Sequence, residues 1–522
     1  MLASHRGSLD GSGALWHIPA EISSVKWRTG KRSARPLFLT AAAVALIAAV
    51  GPGSARALRP SSIQFEAATF TANDGRAAAA EVANFKVPER HQAFAEGGST
   101  APAQITLRVW RFPATGVAAG PPIVLLDGGP GGAAIEATRG AYFNMVQQFR
   151  AFGDVIVADQ RGTGESTPSL VCKKSAKMPP GELLTIESWL GALRSPALRC
   201  ARKWRKAGVD LAAYNNTESA NDIEALRLAL GVEQVSLWGV SYGTQLALTF
   251  LRQFPDSAAR AVLHGVLPPG GFPGLPRGRD KVLKGLARLA SQAQPGLYPD
   301  LAGSLRTILA DLAVNPRDVL VSDPATGGSS TVRFGDYELQ YILSLVVLGN
   351  RQLMQGLPAW VAAMENGDFS APASLGLELR RWRTTAMTMA VVCGVGENPK
   401  RARKAARQAP GSITGAQPGL SDACDPWGID PPGADELKPV SSDVPVLLIA
   451  GTLDGTTAFA DTKAAGKKLR NSHVLKLVGA THTDLVRGHP DILEVVGEFL
   501  GGGDPSRSSI PLAWSFASPA AR

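Results

Sequence analysis

Ser241 lies in the pentapeptide Gly239-Val240-Ser241-Tyr242-Gly243, directly after the apolar run 235–239 and directly before an apolar helical pattern over 244–252. Gly-x-Ser-x-Gly alone is a weak pattern. Placed between a strand and a helix, it describes a tight turn that lifts a serine hydroxyl clear of the backbone. A serine hydroxyl is a poor nucleophile and needs a base, itself oriented by an acid. After residue 57 the chain holds five histidines, His91, His264, His473, His482 and His489. Reactive groups of parallel sheets gather at the carboxyl ends of the strands. His482 follows the run 473–478 by four residues and belongs to that edge, whereas His473 opens the same run at the opposite edge. His264 falls inside a strand pattern and reads as a core histidine, and His489 lies at or before the last helix.

The same reasoning selects the acid. Asp454 comes three residues after Gly451, which ends the run 446–451, while Asp443 precedes that run and faces away. Asp159 also ends a strand, but it would break the order Ser, Asp, His that accompanies such an elbow. Asp484 is too near His482 in sequence to orient its far nitrogen. Attack on a carbonyl further requires N–H donors for the oxyanion. The amide of Tyr242 at the helix start supplies one, and the loop Asp127-Gly128-Gly129-Pro130-Gly131-Gly132 the other, from Gly129 with Gly128 as the neighbouring candidate.

The elements that must position these groups are short apolar runs at 105–112, 123–127, 155–159, 235–239, 261–266, 446–451 and 473–478. Several are apolar on both faces, as buried parallel strands are. Helical patterns alternate with them, the clearest over 222–231 with Thr217 and Ser219 as candidate caps and Gly231 as the stop. The fold class is therefore α/β with a mostly parallel sheet. From 268 to 440 the rhythm breaks into helices expected at 281–292, 301–312, 337–348 and 377–390, which reads as a helical cap inserted before the acid-bearing strand. The expected division is a leader over 1–57, core over 58–267, cap over 268–440, core over 441–503 and a loose tail over 504–522.

Residues 1–57 carry Lys31, Arg32 and Arg35, then an apolar stretch over 37–50, then Gly51-Pro52-Gly53 and Ala55-Arg56-Ala57. Charged start, apolar core and small-x-small site form a secretory leader, so the protein is expected to be exported, periplasmic or extracellular, with no stable membrane insertion once the leader is removed. Residues 1–30 are unusual for a leader and read either as a long charged region or as a start codon placed too early. Of the formal net charge of +10, half lies in residues 1–57, so the excess does not mark a nucleic-acid-binding face. Cys172 and Cys200, and Cys393 and Cys424, form two locally spaced pairs with no Cys-x-x-Cys. Two local disulfides are the expected reading in an oxidising compartment, with four buried thiols as the alternative.

The Gly-rich loop, the segment Asp159-Gln160-Arg161-Gly162-Thr163-Gly164-Glu165-Ser166 and Gly-x-Ser-Tyr-Gly-Thr, in this order, resemble the prolyl aminopeptidase and tripeptidyl-aminopeptidase-like branch of the α/β-hydrolases. The likeness runs from about residue 100 to about 500, and the cysteine pairs are similar to those of secreted members. It implies the α/β-hydrolase fold and removal of one or a few residues from a free peptide N-terminus. It also implies a triad at Ser241, Asp454 and His482, with Gly129 and Tyr242 as oxyanion donors. No metal or organic cofactor is implied; the partner is a peptide or small acyl substrate.

Two departures stand out. Asp127 replaces a histidine that many members carry before the double glycine, and in Cys393-Gly394-Val395-Gly396-Glu397 the acid comes later than in the family. An aminopeptidase must pair the substrate ammonium with buried carboxylates. Glu397 and, behind it, Glu338 and Asp336 are the candidates. Arg161 reads as a structural pin for neighbouring loops. The alternatives are a carboxylesterase of the same fold, which shares the chemistry, and a non-catalytic binding protein that kept the fold.

Overall fold

The computed structural model describes residues 62–516 except 92–102, 117–119, 173–175, 273, 295–299, 382–384, 418–422 and 487. The leader expected over 1–57 lies outside the described residues. Strands β1 (Glu66–Thr71), β2 (Ala77–Pro88), β3 (Gln104–Phe112), β4 (Ile123–Leu126), β5 (Val155–Ala158), β6 (Val235–Val240), β7 (Ala258–His264), β10 (Val446–Gly451), β11 (Ser472–Val478) and β12 (Ser509–Pro511) form one sheet. Its order is β1-β2-β3-β5-β4-β6-β7-β10-β11-β12. β1, β2 and β3 run antiparallel to their neighbours, and every pairing from β5 to β12 is parallel. Every residue of β4, β6 and β10 is buried, which is why these strands read as unbroken apolar runs.

Helices cover both faces. α1 (Ala134–Arg139), α2 (Phe143–Phe149) and α14 (Pro490–Leu500) bury Ile135, Phe149 and Val496 on one side. α4 (Asn216–Ala229), α5 (Tyr242–Gln253) and α13 (Phe459–Gly466) bury Ile223, Leu246, Phe250 and Ala465 on the other. The start of α4 is set by Asn215, whose side chain accepts from Glu218 N–H, rather than by Thr217 or Ser219. An Asx cap three residues before an acidic residue satisfies a free N–H and needs no later substitute.

Between β7 and β10 lie α6 (Pro276–Ala293), α7 (Leu301–Val314), α8 (Asp336–Ile342), α9 (Arg351–Glu365), α10 (Ser370–Leu379), α11 (Ala386–Val395) and α12 (Pro399–Gln408). A hairpin of β8 (Arg317–Asp323) and β9 (Gly328–Phe334) interrupts them. The helix expected over 377–390 is in fact two, α10 and α11. Arg380 ends the first, and Thr385 caps the second by accepting from Thr388 N–H. The one expected over 337–348 is α8 followed by a π-helical turn at Leu343–Val347. α3 (Ile186–Lys206) precedes the insertion in sequence yet shares its buried cluster, with Trp189 against Tyr341 at 5.8 Å between ring centroids.

The tail is not loose as far as it is described. β12 pairs with β11, and Trp514 lies against Gly479 with its indole N–H on the Gly479 carbonyl. The edge strand β11 offers unpaired backbone groups that this segment satisfies.

Candidate functional site

Ser241 stands between the last residue of β6 and the first of α5, with φ at 55°. It is the one non-glycine residue with positive φ among the described residues. Such a conformation costs about 1–3 kcal/mol and persists only where the surroundings impose it. They do so sterically. A Cβ on Gly243 would stand 1.9 Å from the Leu126 carbonyl oxygen, and one on Gly239 would stand 2.9 Å from the Gly243 carbonyl oxygen. The turn is thus pressed against the end of β4, and only glycine fits on either side of the serine. Ser241 N–H donates to the His264 carbonyl at 2.8 Å, tying the turn to the end of β7.

Asp454 follows β10 and is fully buried. It accepts from Thr456 N–H at 2.8 Å, Thr457 N–H at 2.7 Å and the Thr457 hydroxyl at 2.7 Å. Its Oδ2 also meets His482 Nδ1 at 2.8 Å. His482 sits in the loop after β11, its side chain about one-fifth exposed, so the imidazole is held at one end and open at the other. A Cβ on Gly265 would stand 2.9 Å from His482 Cε1. The residue after His264 therefore lies under the imidazole ring, which brings the histidine over the strand end that anchors Ser241.

The Gly-rich loop closes the third side. A Cβ on Gly128 would come within 3.0 Å of Ser241 Cβ, so this loop lies directly against the serine. Gly132 N–H donates to the Gly128 carbonyl, and the Thr388 hydroxyl of α11 donates to the Pro130 carbonyl at 3.1 Å. The Asp127 carboxylate accepts from the Tyr142 hydroxyl at 2.9 Å, while burial pushes its pKa up. Gly129 N–H donates to no backbone carbonyl among the described residues, and Tyr242 N–H, first in α5, has no acceptor within its helix.

A serine on a strained elbow, a carboxylate-bound imidazole and free N–H groups in one place can perform acyl transfer. The model of the alpha/beta hydrolase fold matches residues 121–487, well over half of the chain. The chain belongs to the α/β-hydrolase family. The serine protease Hip1 of Mycobacterium tuberculosis is 25% identical over 432 residues, spanning 76% of this chain and 81% of that protein. The tripeptidyl aminopeptidase of Streptomyces coelicolor is 28% identical over 160 residues, 28% of each chain. The proline iminopeptidase of Xylella fastidiosa is 29% identical over 147 residues, 28% of this chain and 33% of that one. This α/β-hydrolase is thus a serine hydrolase, similar over part or most of its length to proteins named as peptidases.

Other residues singled out by sequence fall as follows in the hydrolase. His264 is fully buried, its Nδ1 bonded to the Leu485 carbonyl at 2.8 Å, and burial pushes its pKa down to about 4. His473 faces Asp504 at the far edge, and His489 precedes α14. Asp443 pairs with Arg470, and Asp484 with Arg351. Asp159 accepts from Ile135 and Glu165 N–H groups, and burial raises its pKa to about 6. Arg161 is buried and holds Asp222 and the carbonyls of Glu89 and Ala213. Cys172–Cys200 and Cys393–Cys424 are bonded, with Cα–Cα distances of 5.5 and 5.6 Å.

Glu338 does not serve as an ammonium ligand. It is fully buried, and both its oxygens bond to Arg380, at 3.1 and 2.8 Å. A carboxylate neutralised in this way holds α8 to α10 and has no charge to offer a substrate. Asp336 lies in the first turn of α8, and Glu397 is half-buried in the turn between α11 and α12. Sequence reasoning missed Thr457 and Gly265. Thr457, three residues after Asp454, follows the pattern of a carboxylate receiving local N–H and hydroxyl donors and was readable on that ground.

Proposed function

We propose that this chain is an exported serine peptidase releasing one or a few residues from the free N-terminus of peptides, with Ser241, His482 and Asp454 as its triad. His482 takes the proton of Ser241 as the hydroxyl oxygen attacks the scissile carbonyl. Gly129 and Tyr242 N–H groups hold the oxyanion. The imidazolium, steadied by Asp454, passes its proton to the leaving amine, and water then cleaves the acyl-enzyme by the same steps. The observation that carries this reading is the 2.8 Å contact of His482 Nδ1 with buried Asp454 at the strand edge that also holds the strained Ser241.

The relatives named as a proline iminopeptidase and a tripeptidyl aminopeptidase support release from the N-terminus, and Glu397 is the cap carboxylate assigned to the substrate ammonium. Two disulfides support export, since they persist in oxidising compartments. An esterase reading is favoured by one observation, the loss of Glu338 to Arg380, which leaves fewer cap carboxylates for an amine.

The purified protein should be compared on chromogenic amides with a free N-terminal Pro, Ala or tripeptide, on the same amides N-acetylated, and on a short-chain ester. Turnover of the free-amine amides that acetylation stops establishes the exopeptidase. Turnover of the ester alone leaves a serine esterase.

A further inference from the structure

Among the described residues of the cap, Arg279 is a buried cation without an ion-pair partner. Arg279 lies in the first turn of α6 and is only 6% exposed. Its Nε and Nη1 atoms are buried without a hydrogen-bond partner. Burial pushes its pKa down to about 10, so it stays charged at neutral pH. The acidic residue beside it in the cleft, Asp461, is engaged by both terminal nitrogens of Arg401, at 2.9 and 2.7 Å. Asp280, next in sequence, receives the Ser412 hydroxyl at 2.9 Å. Burying a guanidinium without a bound anion costs several kcal/mol, roughly, so its place in this cleft calls for a ligand.

The cleft that Arg279 lines also has walls from Phe272, Ser344, Thr456 and Thr457. Thr457 is the residue whose hydroxyl touches both Asp454 and His482. Val266, another wall, follows Gly265, over which the imidazole lies. Ser344 belongs to the π-helical turn, a distortion that often marks ligand sites. The unpaired guanidinium therefore opens into a cleft that adjoins the acid and base.

We propose that Arg279 is a specificity-determining residue that binds a carboxylate of the substrate. The planar guanidinium offers parallel N–H donors that match a carboxylate two-fold. That carboxylate comes either from the free C-terminus of a short peptide or from an acidic side chain near the scissile bond. The proposal rests on the serine-hydrolase reading for its location, but not for its binding chemistry.

The test uses the full chain and its Arg279→Met variant. Kinetics compare short peptides with a free C-terminal carboxylate against their C-terminal amides, and Glu-containing against Gln-containing peptides. The wild type is expected to favour one carboxylate form by roughly 10- to 100-fold in kcat/KM, and the variant to bring that ratio to about one. Which pair shows the preference identifies the source. Glutarate titrated by calorimetry gives a readout independent of turnover, with binding to the wild type and none to the variant.

Stability separates the proposal from a structural role. Removing an unpaired buried cation should leave the urea midpoint equal or higher, whereas a guanidinium held by the protein itself would lower it on substitution. A lowered midpoint, a preference that survives in Arg279→Met, or a wild type that neither prefers carboxylates nor binds glutarate overturns the proposal. Failure of fluorophosphonate to label Ser241 overturns the serine-hydrolase reading alone, with the glutarate result standing by itself.

Discussion

The Thr457 hydroxyl donates to Asp454 Oδ2 at 2.7 Å, the oxygen that also faces His482 Nδ1. Its single proton is thereby committed, so its 3.2 Å approach to Nδ1 makes the threonine oxygen an acceptor. Nδ1 must then carry the hydrogen, and Nε2 is left as the basic nitrogen. Removing the hydroxyl takes a donor from Asp454 and an acceptor from the imidazole edge, so the ring is held less well. Thr457→Val should lower kcat roughly tenfold with KM little changed. An unchanged kcat with reduced stability would make Thr457 a packing residue only.

Two replacements at Ser241 separate chemistry from strain. Ser241→Ala and Ser241→Gly should each reduce turnover by about 10⁴-fold or more. They should differ in stability, because alanine keeps the 55° φ strained and glycine relieves it. Allowing for the entropy glycine loses on folding, Ser241→Gly is expected to be about 1 kcal/mol more stable than Ser241→Ala in urea. If alanine is the more stable of the two, the elbow stores no strain.

Glycines in this chain differ sharply in what surrounds them. A Cβ at position 243 meets the Leu126 carbonyl oxygen at 1.9 Å, whereas at Gly191, exposed in α3, nothing lies within 4 Å. Gly243→Ala is therefore expected to lose about 3 kcal/mol or to fail to accumulate as soluble protein. Gly191→Ala should gain about 0.5–1 kcal/mol from helix propensity. Equal midpoints for the two would refute the steric account of the elbow.

His264 makes stability depend on acid. Burial holds its pKa near 4 against an ordinary value of 6.5, so the unfolded chain binds a proton between these values and the folded chain does not. Its contribution is complete above pH 6.5 and is lost as pH falls toward 4, by about 3 kcal/mol. Asp159 opposes this, since burial lifts it to about 6 and its protonation below that favours the folded state. His264→Asn, which preserves a donor for the Leu485 carbonyl, isolates the histidine. Its urea midpoint should fall less than that of the wild type between pH 6.5 and 4, and parallel curves would exclude the effect.

The residues of the site were legible because each is tied to a strand end by short-range rules. Ser241 announces itself by two glycines, and Asp454 and His482 by their distance past Gly451 and Val478. The parallel strands were legible because burial on both faces makes them continuously apolar. β1, β2 and the β8–β9 hairpin were not, since half-exposed antiparallel strands such as Ala77–Pro88 alternate weakly and alanine carries little β preference. Glu338 was misread because its partner, Arg380, is 42 residues away and nothing local betrays an ion pair. Arg279 was invisible for the opposite reason, as its distinction is the partner it lacks.

The cap meets the core where the chemistry is. Gly455 N–H, one residue past Asp454, donates to the Leu348 carbonyl, and Thr483 N–H, one residue past His482, donates to the Gly349 carbonyl. Arg351 then grips Asp484 and the carbonyls of Gly479 and Ala513. The acid loop and the base loop are thus stitched to one short stretch of the insertion. Such a stretch cannot swing aside as a door without loosening the pair it frames. A foreign cap grafted onto this core would lose these contacts and leave the loops of Asp454 and His482 to find their places alone.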